Sequence, residues 1–221
     1  MSMIFRRPPR PHQGVAIFLL QLLLVVLIPL FDDGGRLVPL AYAATALAVG
    51  ALTVRLLGYR RTAVGIVVAG AAALACELGM PEGPSMFRFP LWLTMIGSCL
   101  TTTGLAIKTA FAKHVPPVQR IFCGSASFVL IGFVFASIHA LVGLGTGVGY
   151  AIVAGVEGAR GLRWVDFVWL SFSTLTTAGF GDVAPVTATA CAVSTVESLC
   201  GILFPATLIA RIASLPTTPG V

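Results

Sequence analysis

Residues 164–185 read Trp164-Val165-Asp166-Phe167-Val168-Trp169-Leu170-Ser171-Phe172-Ser173-Thr174-Leu175-Thr176-Thr177-Ala178-Gly179-Phe180-Gly181-Asp182-Val183-Ala184-Pro185. The part from Asp166 to Thr176 is apolar and aromatic, with a candidate helix cap at Asp166. At about eleven residues it is too short to cross a ~30 Å hydrocarbon core. It suits a re-entrant helix that enters from one side and stops at mid-depth. The part that follows, Thr177 to Asp182, is irregular, and irregular backbone at that depth is tolerated only where protein buries it or it lines a water-filled cavity. Gly179 and Gly181 alternate with residues that carry side chains. Glycine enters φ > 0 without steric cost, so alternating left- and right-handed residues turn successive carbonyls to one side. Four such strands around an axis make rings of carbonyl oxygens able to replace the hydration shell of a cation, with the Thr177 hydroxyl as the innermost ring. Ala178 and Phe180 then point away and pack against the short helix, whose C-terminal end favours a cation below it.

The rest of the chain supplies a membrane setting for this stretch. Of 221 residues, 57% are hydrophobic and 10% charged, against ~25% charged in soluble domains. That excludes a cytoplasmic enzyme, a secreted disulfide scaffold and a disordered chain. Uncharged blocks mark six expected spans: Gly14 to Phe31, Leu37 to Val54, Thr62 to Met80, Phe89 to Ile107, a fifth from near Arg120, and Val186 to Ala210. The fifth block is uncharged as far as Val156, about 54 Å if wholly helical. Gly143, Gly145, Gly147 and Gly149 are expected to end the helix. The first block is read as a retained span, because the small-residue site Ala41-Tyr42-Ala43 lies inside the second block. The five cysteines, Cys76, Cys99, Cys123, Cys191 and Cys200, lie in apolar stretches without metal-ligand spacing and are read as small buried hydrophobes.

Orientation follows from the basic residues. With the N-terminus inside, Arg6, Arg7, Arg10, Arg55, Arg60, Arg61, Lys108, Lys113, Arg120 and Arg211 face the cytoplasm, and only Arg36, Arg88, Arg160 and Arg163 face out. Six spans return the C-terminus to the cytoplasm and put residues 164–185 on the outer side. The net charge of +6 therefore belongs to membrane topology, and no nucleic-acid partner is expected.

At Thr176-Thr177-Ala178-Gly179-Phe180-Gly181-Asp182 the sequence resembles the tetrameric potassium channels, whose filter signature is Thr-Thr-Val-Gly-Tyr-Gly-Asp. Ala178 stands where Val is usual and Phe180 where Tyr is usual. The resemblance extends to Trp169 on the pore helix, and to Glu197, Gly201 and Leu208-Ile209-Ala210-Arg211 on a helix like the inner helix of bacterial members. It covers about residues 165–212; the four preceding spans resemble six-helix members in number and placement only. It implies an all-α integral membrane protein, a homotetramer, with six transmembrane helices, a re-entrant pore helix and a selectivity filter. In that scheme residues 1–13 are a basic cytoplasmic tail, 14–115 a peripheral four-helix region, 116–212 the pore domain and 213–221 a short cytoplasmic tail.

The resemblance further implies passive conduction of K+, held by the carbonyls of Thr177, Ala178, Gly179, Phe180 and Gly181. Thr176, Trp169, Ser173 and Asp182 would support the filter, with Asp182 hydrogen-bonded to Trp169 or nearby pore-helix groups and Ser173 joining that network. Gly201 would be a hinge of the inner helix, with a kink permitted at Pro205. Glu197, an acid inside a span, is expected to bond the pore helix or face the cavity. His139 is expected in an interfacial packing or pH-sensing role. No cofactor and no enzymatic activity are expected; the partners are K+, membrane lipid and copies of the chain.

Other readings are a poorly selective cation pore, since Ala178 removes volume behind the filter, and a non-conducting auxiliary subunit. A secondary transporter would show paired broken helices, and only one re-entrant segment is present. A membrane enzyme would show buried catalytic clusters, and no nucleophile–base spacing occurs. The opening stimulus stays open among lipid, pH, tension and a separate regulatory subunit. Voltage-gated members carry a ladder of basic residues on the fourth span, each worth about 2.3 kcal/mol per 100 mV. Here Phe89 to Ile107 carries none, with Arg88 and Lys108 only flanking it. A shallow conductance–voltage curve is expected, and a curve carrying many gating charges would contradict this reading.

Overall fold

A computed structural model describes residues 12–27, 37–79, 89–112, 115–146, 149–153 and 161–213. Its elements are α1 (His12–Leu27), α2 (Leu37–Leu56), α3 (Arg60–Gly79), α4 (Phe89–Ala110), α5 (Pro117–Thr146), β1 (Tyr150–Ile152), α6 (Trp164–Leu175), β2 (Val183–Pro185) and α7 (Ala188–Ala213). Each expected apolar block holds a helix, and α6 is the short one. Two helices among the described residues are long and apolar enough to cross a membrane: Pro117–Gly143 of α5, with mean hydropathy 2.2, and Ala188–Ala213, with 1.6.

The helix boundaries follow from local chemistry. Proline 117 opens α5, where its missing N–H has no intrahelical partner to lose. Helix α2 ends in a Schellman cap: Tyr59 N–H donates to the Val54 carbonyl at 3.1 Å and Gly58 N–H to Arg55 at 3.0 Å. Gly58 takes φ 93° between them, the left-handed position this cap requires. That turn folds α3 back along α2. Three hydroxyls inside the apolar helices bond to their own backbone, Thr102 to Ser98, Ser127 to Cys123 and Ser137 to Phe133, so these three impose no unmet polar group on their surroundings.

Helix α5 is the spine. Its residues Val129, Phe133 and Ala136 pack with Leu24 of α1, Val49 of α2 and Val168 of α6. Nearer its start, Cys123 and Ala126 pack with Ile17 of α1 and with Ala106 and Ala110 of α4. Gln21 of α1 donates from its side-chain amide to the Thr53 hydroxyl of α2 at 3.1 Å. Helices α6 and α7 also pack on α5. Phe172 of α6 sits over Gly132, and Leu208 of α7 over Gly124.

Three expectations are corrected. The chain is not wholly α: β1 and β2 form a small antiparallel ribbon with Tyr150 opposite Pro185 and Ile152 opposite Val183. Helix α5 continues past Gly143 and Gly145 to Thr146, and β-branched Ile152 and Val183 then pair across the ribbon. Asp166 is not the N-cap of α6; Arg163 is, and Asp166 accepts the Arg163 backbone N–H at 2.7 Å from the third helical position. The cysteines are not all buried: Cys123 is, Cys99 and Cys200 are partly so, and Cys191 is exposed. The Cys76 side chain lies outside the described residues.

Helix α7 runs unbroken past Gly201 and Pro205. A Cβ at Gly201 would collide with the Leu175 carbonyl at the end of α6. Backbone cannot retreat as a side-chain tip can, so Gly201→Ala is expected to destabilise the fold by about 1–3 kcal/mol. Thermal unfolding in detergent measures this, and an unchanged midpoint would show that the two helices do not meet there.

Candidate pore loop and its buried brace

The loop after α6 is built from its helix end. Thr176 N–H donates to the Phe172 carbonyl and Thr177 N–H to Thr174, both at 3.0 Å. The Thr176 hydroxyl bonds back to Phe172 at 2.6 Å. Gly179 N–H then folds back onto the Ser173 carbonyl at 3.1 Å. The backbone takes positive φ at Thr177 (59°), Gly179 (61°) and Gly181 (77°), with Ala178 and Phe180 between. Alternation of hand therefore begins at Thr177, two residues before the first glycine. Thr177 is the one non-glycine residue at positive φ among the described residues, an uncommon conformation for a β-branched side chain.

Residues Thr176 to Gly181 are all exposed in the single chain. The carbonyls of Thr177 to Gly181 accept no hydrogen bond among the described residues. Phe180, 65% exposed, lies on Trp169 with ring centroids 5.9 Å apart and planes at 22°. Trp169 and Asp182 are not joined by a hydrogen bond: the indole lies flat on Phe180, and the Asp182 carbonyl accepts Val153 N–H at 2.9 Å. Nor does the Ser173 hydroxyl reach Asp182. It donates to the Leu170 carbonyl at 3.0 Å, and Ser173 meets the loop through its own carbonyl.

Behind α6 lies a polar chain that joins four elements. The side chains of His139 on α5, Ser171 on α6 and Glu197 on α7 have no exposure, and Tyr150 of β1 has 6%. Tyr150 Oη is 2.7 Å from His139 Nδ1, and His139 Nε2 is 2.8 Å from Glu197 Oε2. Ser171 Oγ contacts both Glu197 Oε1 and, at 2.7 Å, the Gly132 carbonyl oxygen of α5. A hydroxyl has one proton and cannot donate to both. One assignment satisfies every group: Tyr150 donates to His139, His139 Nε2–H to Glu197, a protonated Glu197 to Ser171, and Ser171 to Gly132. Burial pushes the Tyr150 phenol up to about 12, which keeps its proton available for the first bond.

Glu197 and His139 were legible in the sequence as polar residues in apolar helices. Ser171 and Tyr150 were not, because a serine on a helix and a tyrosine after a glycine run carry no signal of their own. Gly201 sits four residues beyond Glu197, against Leu175. Pro205 lacks the N–H that would bond the Gly201 carbonyl.

The short apolar helix α6, the alternating-hand loop and the apolar helix α7 follow one another in the chain. A family model described as "Ion channel" matches residues 138–218, from the end of α5 through α7. This segment belongs to the pore-loop channel superfamily, and the chain is a membrane protein that carries an ion-channel domain. Comparison with curated proteins and with solved structures gives no match.

The proton arrangement makes a specific expectation. Glu197→Gln supplies an amide N–H to Ser171 and a carbonyl to His139, so it should unfold near the wild-type midpoint. Glu197→Ala leaves a void and strips both partners, costing about 3 kcal/mol or more. Equal losses in thermal unfolding would contradict a neutral Glu197.

Proposed function

We propose that four copies of this chain assemble into a potassium-selective channel conducting K+ passively through carbonyl rings of Thr177, Ala178, Gly179, Phe180 and Gly181. The observation that carries the reading is the alternation of hand at Thr177, Gly179 and Gly181, which suits carbonyls turned to one side as rings of cation ligands. The position of this loop at the end of α6, inside the segment that matches the ion-channel family, supports it.

Two further features favour a multi-copy assembly. Irregular backbone cannot face lipid, yet Thr177 to Gly181 are uncovered in one chain. Helix α7 is also nearly bare: 11% of its apolar window is buried, against 61% for α5, and Val196, Leu199, Ile202, Leu203 and Ile209 are more than half exposed. A homotetramer around the filter axis covers both.

In this reading all six long helices cross the membrane, both termini are cytoplasmic, and the re-entrant loop opens outward. The Tyr150–His139–Glu197–Ser171 chain holds the pore helix between the outer and inner helices. The inner helix has its bending point at Gly201 and Pro205, where the helical bond between them is missing. Gating is not steeply voltage dependent.

The test is the reversal potential of purified protein in a planar bilayer between potassium and sodium solutions. A value near the potassium equilibrium potential is expected. Gly179→Ala should abolish selective current while the assembled mass in detergent stays fourfold, since a side chain at φ 61° strains only the loop. Current reversing near zero would instead indicate a poorly selective pore, with Ala178 as its cause. A purely monomeric mass would overturn the assembly.

A further inference from the structure

Far from the pore loop, the α2–α3 hairpin carries a feature that conduction does not use. A groove of about 360 Å³ runs between the C-terminal half of α2 and the N-terminal half of α3. Arg55 and Arg60 line it, one on each side of the Gly58 turn. The Schellman cap fixes where the two helices separate, and both arginines line the groove beside it. Both are exposed, and neither has an ion-pair or hydrogen-bond partner among the described residues. Among the described residues no acid lines the groove.

The walls below are aliphatic. Leu52, Val64 and Val67 line them and are 43%, 56% and 54% exposed. The small buried residues Ala51 and Ala63 form the floor. From Arg60 to Val67 the helix rises about 10 Å, enough to seat the first carbons of an acyl chain. A cationic opening above an apolar slot matches one amphiphile chemistry. A guanidinium fork takes phosphate oxygens in bidentate geometry. Branched side chains with no polar group beside them suit hydrocarbon.

We propose that this groove is a binding site for an anionic glycerophospholipid, its phosphate held between Arg55 and Arg60 and one acyl chain laid against Leu52, Val64 and Val67. With the N-terminus inside, the site faces the cytoplasmic leaflet, where basic pockets between helices take anionic headgroups. Binding here does not depend on ion conduction, so it is read without measuring current.

The experiment is native mass spectrometry of the detergent-purified full chain with added phosphatidylglycerol, phosphatidylcholine or inorganic phosphate. Phosphatidylglycerol is expected to bind more tightly than phosphatidylcholine. Arg55→Gln/Arg60→Gln should weaken phosphatidylglycerol roughly 30-fold, equivalent to about 2 kcal/mol at 1.4 kcal/mol per tenfold, and leave phosphatidylcholine unchanged. Val64→Trp fills the slot, keeps both charges, and should weaken phosphatidylglycerol as well. Arg61→Gln, just outside the groove, should change little. The proposal is overturned if the double variant binds phosphatidylglycerol as wild type does, or if Val64→Trp has no effect. It is overturned equally if Arg61→Gln costs as much as the double variant, which would mean diffuse surface charge. Inorganic phosphate binding as tightly as the lipid would show a plain anion site and also overturn it.

Discussion

The backbone of Thr177 to Gly181 imposes the constraint on which the rest of the structure depends. Its carbonyls find no donor among the described residues, and a lipid environment offers none. Such a segment persists only if something polar approaches it from the open side. The ion-channel match over residues 138–218 fits that requirement, since in the proposed assembly a water-filled axis would supply cations and copies of the chain the walls. Within one chain, the loop is held from beneath by the Thr176, Thr177 and Gly179 N–H groups, all bonded to carbonyls of α6. The loop therefore takes its position from the helix.

The helix in turn takes its position from a polar chain that is wholly buried. Ser171 is the point of attachment on α6, with Gly132 of α5 on one side and Glu197 of α7 on the other. His139 and Tyr150 continue the line to the ribbon at the loop's exit. Unmet, any one of these groups would be costly in an apolar interior. With every proton shared once, the chain ties three helices and the ribbon to a single geometry. Gly201 then lets α7 approach the Leu175 carbonyl closely, just below the same site.

Much of this was readable from residue order. The blocks of uncharged sequence locate every helix because charge is expensive in hydrocarbon, and the boundaries fall within a few residues of the expected ones. The short α6 and the glycine alternation were visible for the same reason: length and φ preference are local properties. Where local properties stop, so does the reading. Positive φ at Thr177 has no glycine to announce it. The ribbon joins segments 31 to 35 residues apart, and Trp169 stacks on Phe180 rather than bonding to Asp182, a choice that no local preference announces. Ser171 and Tyr150 become informative only once three helices bring them to Glu197.

The most direct test is to locate cations. We would determine the structure of the purified assembly in thallium, a potassium mimic, and map its anomalous density. The account predicts a fourfold arrangement with a row of peaks on the axis between the carbonyls of Thr177 and Gly181. An axis without bound cation, or loops whose carbonyls face away from it, would contradict the account.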